Sequence, residues 1–155
     1  MAHPKMRFAA VYEAGDAWLA DCSAHPDLVR LVWGIEDLAP IPTGKAWLAV
    51  EGRLVDTMYA LDRIRSEHRG PVLADPTCDK AWWLVPVTAA ADLADVRHLT
   101  VRPTEWVLHC PPTGWSLEGR FWLNRPDGSG RLTDPAVLAA AFGPGGYRPS
   151  AEATS

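Results

Sequence analysis

The sequence predicts one α/β domain, α+β in arrangement: a mixed, largely antiparallel sheet with helices mainly on one face and one βαβ unit. Three observations carry this. An apolar run of strand length, Lys45–Glu51, is followed by a 17-residue helical stretch, Arg53–Arg69, and then by a second short apolar run, Pro71–Asp75. Strand, helix and strand in that order make a βαβ unit and hence two parallel strands. Downstream, Thr104–Leu123 reads as two more apolar strands, Glu105–Cys110 and Arg120–Leu123, joined by a connection rich in Pro, Gly and Trp. Finally, 155 residues suit a single domain with a real core.

The elements follow in order. Ala14–Ala24 places Trp18, Leu19 and Cys22 at helical spacing. Pro26 opens a second helix toward Gly34, although Leu31-Val32-Trp33 is equally β-prone and leaves a strand open there. These make a helical N-terminal part over residues 14–36. Leu38–Lys45 reads as a loop, because Pro40 and Pro42 lack backbone donors and Gly44 allows a turn. In the Arg53–Arg69 helix, Leu54, Val55, Met58, Leu61 and Ile64 form the expected buried stripe. Asp56, Asp62, Arg63, Arg65 and Glu67 are expected outside, and Gly70 suits the C′ position. Ala81–Val87 is a third strand and Thr88–Ala94 a helical turn with Thr88 as N-cap. Asp95–Val101 is a short strand or connector. The sheet core spans residues 45–124. Asp134-Pro135 starts a last helix over residues 134–142. Residues 143–155 read as a flexible tail.

Composition narrows the function classes. Apolar residues make up 48% and charged residues 22%, as in ordinary soluble domains. No apolar run is long enough to span a bilayer, so no membrane partner is expected. Acids follow the basic N-terminal residues at once, unlike a secretory signal. Three widely spaced cysteines, Cys22, Cys78 and Cys110, make no disulfide framework and point to a reducing, cytoplasmic compartment. The net charge of −4 disfavours nucleic acid as a partner. Eight tryptophans are unusual. The ordinary reading is a core rich in large side chains; the sharper one is a stacking platform.

No strong catalytic motif is present. Pro42-Thr43-Gly44-Lys45 lacks the spacing of a phosphate-binding loop and precedes a strand. Adjacent His109 and Cys110 would point to opposite faces of a strand and so would not share a metal. No turn or oxyanion motif surrounds a cysteine. Glu51 and Asp75 end strands, where α/β proteins place their sites, with Asp79, Asp92 and Asp95 in the turns that follow. Two such acids meeting would bind a divalent cation; solvated acids are the ordinary reading. Arginines 97, 102, 120, 125 and 131, interleaved with Trp106, Trp115 and Trp122, make either an anion-binding face or a salt-bridged surface.

Three blocks in this order carry a resemblance: LAPIPTGKAWLAVEG, GPVLADPTCDKAWWLVPVTAAADLADVR and EWVLHCPPTGWSLEGRFWLNRPDGSGRLTDPAVL. Over Leu38–Phe142 the chain resembles the prim-pol domain of the archaeo-eukaryotic primase superfamily. More closely it is similar to actinobacterial proteins of unknown function that read as reduced, diverged prim-pol domains. The resemblance implies metal-binding acids at Glu51, in place of an Asp-x-Asp motif, and at Asp95, before Arg97 and the strand ending in Pro-Pro. Ala81 stands about where the family has its nucleotide-holding His. Two-metal phosphoryl transfer needs more carboxylates than these. The leading expectation is therefore a non-catalytic accessory or binding protein, with a protein partner or a small anionic ligand. Its contact residues would be Trp83, Arg97, Arg102, Trp106, Trp115 and Arg120. One alternative is a nucleotide- or single-strand-binding protein with residual nucleotidyl transfer, using Mg²⁺ or Mn²⁺ on Glu51 and Asp95. The other is an interaction module of a larger assembly.

Overall fold

A computed structural model describes residues 4–143, with side chains described from residue 9. The tail expected after residue 143 lies outside the described residues. The described residues form five α-helices and seven strands in one domain. Helices α1 (Pro4–Asp21) and α2 (Pro26–Gly34) come first, then strands β1 (Ala39–Pro42) and β2 (Leu48–Arg53). Next are α3 (Leu54–Arg63), β3 (Val72–Asp75), β4 (Lys80–Val85), α4 (Ala90–Leu93) and β5 (Thr100–Val101). Strands β6 (Val107–Cys110) and β7 (Phe121–Asn124) and helix α5 (Pro135–Phe142) are the last of the described elements. No described helix is long and apolar enough to cross a membrane.

The main sheet has the order β5-β2-β4-β3-β7, and every neighbouring pair is antiparallel. The expected βαβ unit is therefore split. Strands β2 and β3 run the same way, but β4 lies between them and hydrogen-bonds to both. The cause is local. A tight turn, Pro76–Cys78, follows β3, with the Asp75 side chain accepting the Thr77 N–H. It returns the chain as a hairpin before any other strand pairs with β3.

A second correction concerns the pair of strands in Thr104–Leu123. They belong to different sheets: β6 pairs with β1 in a separate ribbon, whereas β7 pairs with β3. Strand β1 lies in the segment expected to be a loop. Thr43, just beyond it, donates its N–H to Trp106 O. Antiparallel alternation then turns the N–H positions of residues 40 and 42 away from β6. An edge strand tolerates proline there.

The main sheet is covered on both faces. Ala81, Trp83 and Val85 of β4 face a core built with α3, α4 and α5. Trp82 and Leu84 face the other core, with the β1–β6 ribbon and helices α1 and α2. Such a strand reads as one apolar run, with successive side chains on opposite faces.

Part of the expected stripe of helix α3 holds, with Ile64 buried and Leu54 and Leu61 half-buried against the core, but the buried face is shifted. Asp56, Thr57 and Ala60 face the core. Val55, Met58 and Tyr59 are exposed, at 42%, 50% and 56%. Small Thr57 and Ala60 let the helix lie close over Trp83, whose Nε1 donates to Thr57 Oγ1 at 3.3 Å. The helix also ends earlier, as Ile64 is extended. Arg69 reaches back, donating to the Leu61 and Ile64 carbonyls at 2.9 and 2.7 Å. Gly70 is needed for close approach rather than as a C′ residue: an added Cβ would lie 2.5 Å from Thr133 N. Thr88 does not cap α4, whose N-cap is Ala89. Asp134 does cap α5, accepting the Ala136 N–H at 2.9 Å.

Helix α1 meets the segment after β7 at Gly15, where an added Cβ would lie 2.2 Å from Pro126 O. Gly15→Ala is expected to destabilise by about 1–3 kcal/mol, since overpacking exceeds the gain of about 1 kcal/mol in helix propensity. Gly34→Ala, with nothing within 4 Å of the added carbon, is expected to be near neutral. Urea midpoints of the two variants check this; equal midpoints would show that α1 is not seated here.

Candidate functional site

Glu51 sits on β2, pointing toward the ribbon side of the sheet. Directly across the ladder is Trp82, whose Nε1 donates to Glu51 Oε1 at 3.0 Å. Arg102 follows β5, its backbone N–H held by Ala49 O. Its guanidinium donates to both Glu51 oxygens, with Nη2 at 2.9 Å from each and Nε at 3.2 Å from Oε1. Lys80 Nζ is 3.4 Å away. Burial alone would raise the Glu51 pKa. Hydrogen bonds from Arg102 and Trp82, with the charges of Arg102 and Lys80, outweigh it and hold the carboxyl below its ordinary value.

Asp75 closes β3 and is buried. It accepts Arg120 Nε at 3.0 Å and both the N–H and the hydroxyl of Thr77. Burial opposes its ionisation, but these Thr77 and Arg120 interactions prevail and lower its pKa. Arg120 is aimed by a two-residue turn at Glu118 and Gly119, both with positive φ, closed by Leu117 and Arg120 backbone hydrogen bonds. It also donates to His109 O at 2.8 Å, and its Cζ lies 4.5 Å from the Trp82 ring centroid. Arg102 Cζ lies 5.4 Å from the Trp106 ring, and the two indoles are 6.3 Å apart. A continuous chain results: Asp75, Arg120, Trp82, Trp106, Arg102, Glu51. It fastens the ribbon to the sheet. A groove of about 370 Å³ runs beside it, lined by Glu51, Arg53, Asp79, Lys80 and His98 among others. Asp79 pairs with Arg53 at 3.1 Å.

Glu51, Asp75 and Asp79 thus each have a cationic partner. A divalent ion would have to displace arginine or lysine from Glu51. Among the described residues, no group of three or more His, Cys, Asp or Glu is placed to hold a metal.

Of the residues singled out from the sequence, the fold brings together Glu51, Asp75, Arg102, Trp106 and Arg120. Asp95 is exposed in the turn after α4 and is not a partner of Glu51; Asp92 and Arg97 are exposed nearby. Trp83, expected on a contact surface, is instead wholly buried on the helix-covered face, with its ring edge against Phe142. Trp115 is exposed, at 59%. It lies in the connection between β6 and β7, beside Gly114, which packs near Tyr12 of α1. The cluster also uses Lys80 and Trp82. Trp82 would have been found from the register opposite Glu51, which the sequence does not state. His109 is exposed and Cys110 buried, on opposite faces as expected of a strand. Burial pushes the Cys110 thiol far up, so it is no nucleophile at neutral pH.

Compared with protein-family models, curated proteins and solved structures, the chain matches none of them.

Proposed function

We propose that the chain is a non-catalytic binding or accessory protein of the cytoplasm, built on a degenerate prim-pol-like scaffold. One observation carries this reading. Glu51, the acid standing where the resemblance puts the metal motif, is engaged on both oxygens by Arg102 and held by Trp82 as well. A carboxylate in that state supplies structure, not a metal site. Asp95 stands apart from it. The cytoplasmic assignment is supported by three free cysteines, two of them buried. The exposed Arg97 and Trp115 and the outer edges of Arg102 and Trp106 offer contacts to a protein partner or a small anion. The net charge of −4 favours these over nucleic acid.

A primer-extension assay with Mg²⁺ or Mn²⁺ tests the reading. No nucleotide incorporation is expected from the wild-type chain. Incorporation that disappears in Asp95→Ala would overturn it. So would nucleotide stabilisation that requires the divalent ion and is lost in that variant.

A further inference from the structure

At the opposite end of β3 from Asp75, three segments enclose a cavity of about 140 Å³. Trp18 comes from α1, Arg69 from the approach to β3, and Asn124, Arg125, Asp127 and Arg131 from the exit of β7. Part of the wall is fixed by hydrogen bonds, while Arg131 stands exposed at its edge. Asn124 Nδ2 donates to Gly70 O at 2.8 Å, and Gly70 N–H donates to Thr133 Oγ1 at 2.8 Å. Arg69 is anchored on the last carbonyls of α3. Arg125 Nε donates to Thr113 O at 3.1 Å, and its Cζ lies 5.2 Å from the Tyr12 ring.

The charges here differ from those around Glu51. Arg30, Arg53, Arg102 and Arg120 each pair with a carboxylate. None of Arg69, Arg125 and Arg131 forms an ion pair with a described carboxylate. Arg69 and Arg125 are held by neutral carbonyls, which orient a guanidinium without cancelling its charge. The Trp18 indole N–H, beside Gly130, has no acceptor among the described residues. The carboxylate of Asp127 is engaged by Ser129 N–H at 2.9 Å, and these Ser129 hydrogen bonds, with the charge of nearby Arg131, lower its pKa; the Arg69 and Arg125 guanidiniums have no such acid among the described residues. Three cations against one anion leave a positive, donor-rich wall. Preorganised donors of this kind favour a compact anion with several acceptor oxygens. The volume is below the roughly 300–1,000 Å³ of sites that enclose drug-sized ligands, so one small group fits inside.

We propose that this cavity binds a phosphoryl group, either as inorganic phosphate or as the phosphate of a small phosphomonoester. The site is separate from the Glu51 cluster. It needs no divalent ion and no contribution from Asp95, so its failure and the failure of the binding-protein reading are distinguishable.

The test titrates the full chain with inorganic phosphate, and separately with glycerol phosphate, at constant ionic strength. Binding is read by thermal shift and by the Trp18 indole N–H resonance, assigned with Trp18→Phe. A saturable response is expected without metal. Arg131→Ala, at an exposed residue whose side chain makes no ion pair, is expected to keep the ligand-free melting temperature and weaken binding by about tenfold or more. Lys45→Ala, at an exposed cation that does not line the cavity, is expected to bind as the wild type does. Tighter binding of inorganic phosphate would identify the free ion as the ligand; tighter binding of glycerol phosphate would identify the ester. A response that stays linear into tens of millimolar, or one equally strong in Arg131→Ala, overturns the proposal.

Discussion

Trp83→Ala is expected to lower the unfolding free energy by about 3–5 kcal/mol, the range for deleting a fully buried large aromatic side chain. Trp83 stands on the central strand, across from Val50 of β2 and Val72 of β3. Its ring edge meets Phe142 of α5, with centroids 5.9 Å apart and planes at 87°. Its Nε1 donates to Thr57 of α3. Truncation would leave a cavity beneath two helices and take the partner from a buried hydroxyl. Trp115→Ala, at an exposed residue, is expected to stay within about 0.5 kcal/mol. Urea unfolding of both variants with unchanged m-values measures the contrast. A loss below about 1 kcal/mol for Trp83→Ala would show that this indole is not seated in the core. A contact role for Trp83 would then be open again.

The Trp82-Trp83 pair also shows what was legible. Their strand and its burial were legible from the apolar run, although the strand ends at Val85 and not at the expected Val87. Which indole faces which layer was not, because a strand covered on both faces carries no polar alternation. In α3 the expected stripe held at Leu54, Leu61 and Ile64 and failed at Val55 and Met58. Apolar spacing selected Val55 and Met58, whereas the bulk of Trp83 and Phe142 beneath the helix favours the small Thr57 and Ala60. The split βαβ unit was half legible. The strand–helix–strand order is correct and the two strands are parallel in direction. The insertion of β4 depends on how tight the Pro76–Cys78 turn is, which is settled in three dimensions. At the candidate site, Glu51 and Arg102 were found as separate residues. Their pairing across 51 positions of chain is a consequence of β5 lying beside β2. The Pro-Pro connection read as a simple link between partners. Yet Pro111 O accepts Trp122 Nε1 at 3.0 Å, and the segment crosses from the ribbon to the main sheet.

Arg102→Ala is expected to cost about 2–3 kcal/mol at neutral pH, more than a surface ion pair and less than a fully buried one. The Glu51 and Arg102 side chains are 13% and 31% exposed, and their contact is bidentate. By contrast, the more exposed Arg30–Glu13 pair, at 41% and 64%, is expected to contribute little. The pH dependence has a definite sign. The Glu51 pKa is lower folded than unfolded, where it is about 4.3. Its stabilisation is therefore fully present above that value and is lost as pH falls through the folded value. The wild-type advantage over Arg102→Ala should be widest near neutrality and shrink below about pH 4. Asp75, lowered in the same direction by Thr77 and Arg120, keeps an acid limb in the variant and serves as an internal reference. Combining Glu51→Gln with Arg102→Ala should cost less than the sum of the single changes, because the two groups are directly coupled. Divalent ions separate structure from latent chemistry. Mg²⁺ or Mn²⁺ should not stabilise the wild-type chain, in which Arg102 already occupies both Glu51 oxygens. Stabilisation of the wild-type chain by the ion, abolished by Glu51→Gln, would mean that this carboxylate yields to a metal and that the cluster is a site rather than a fastening.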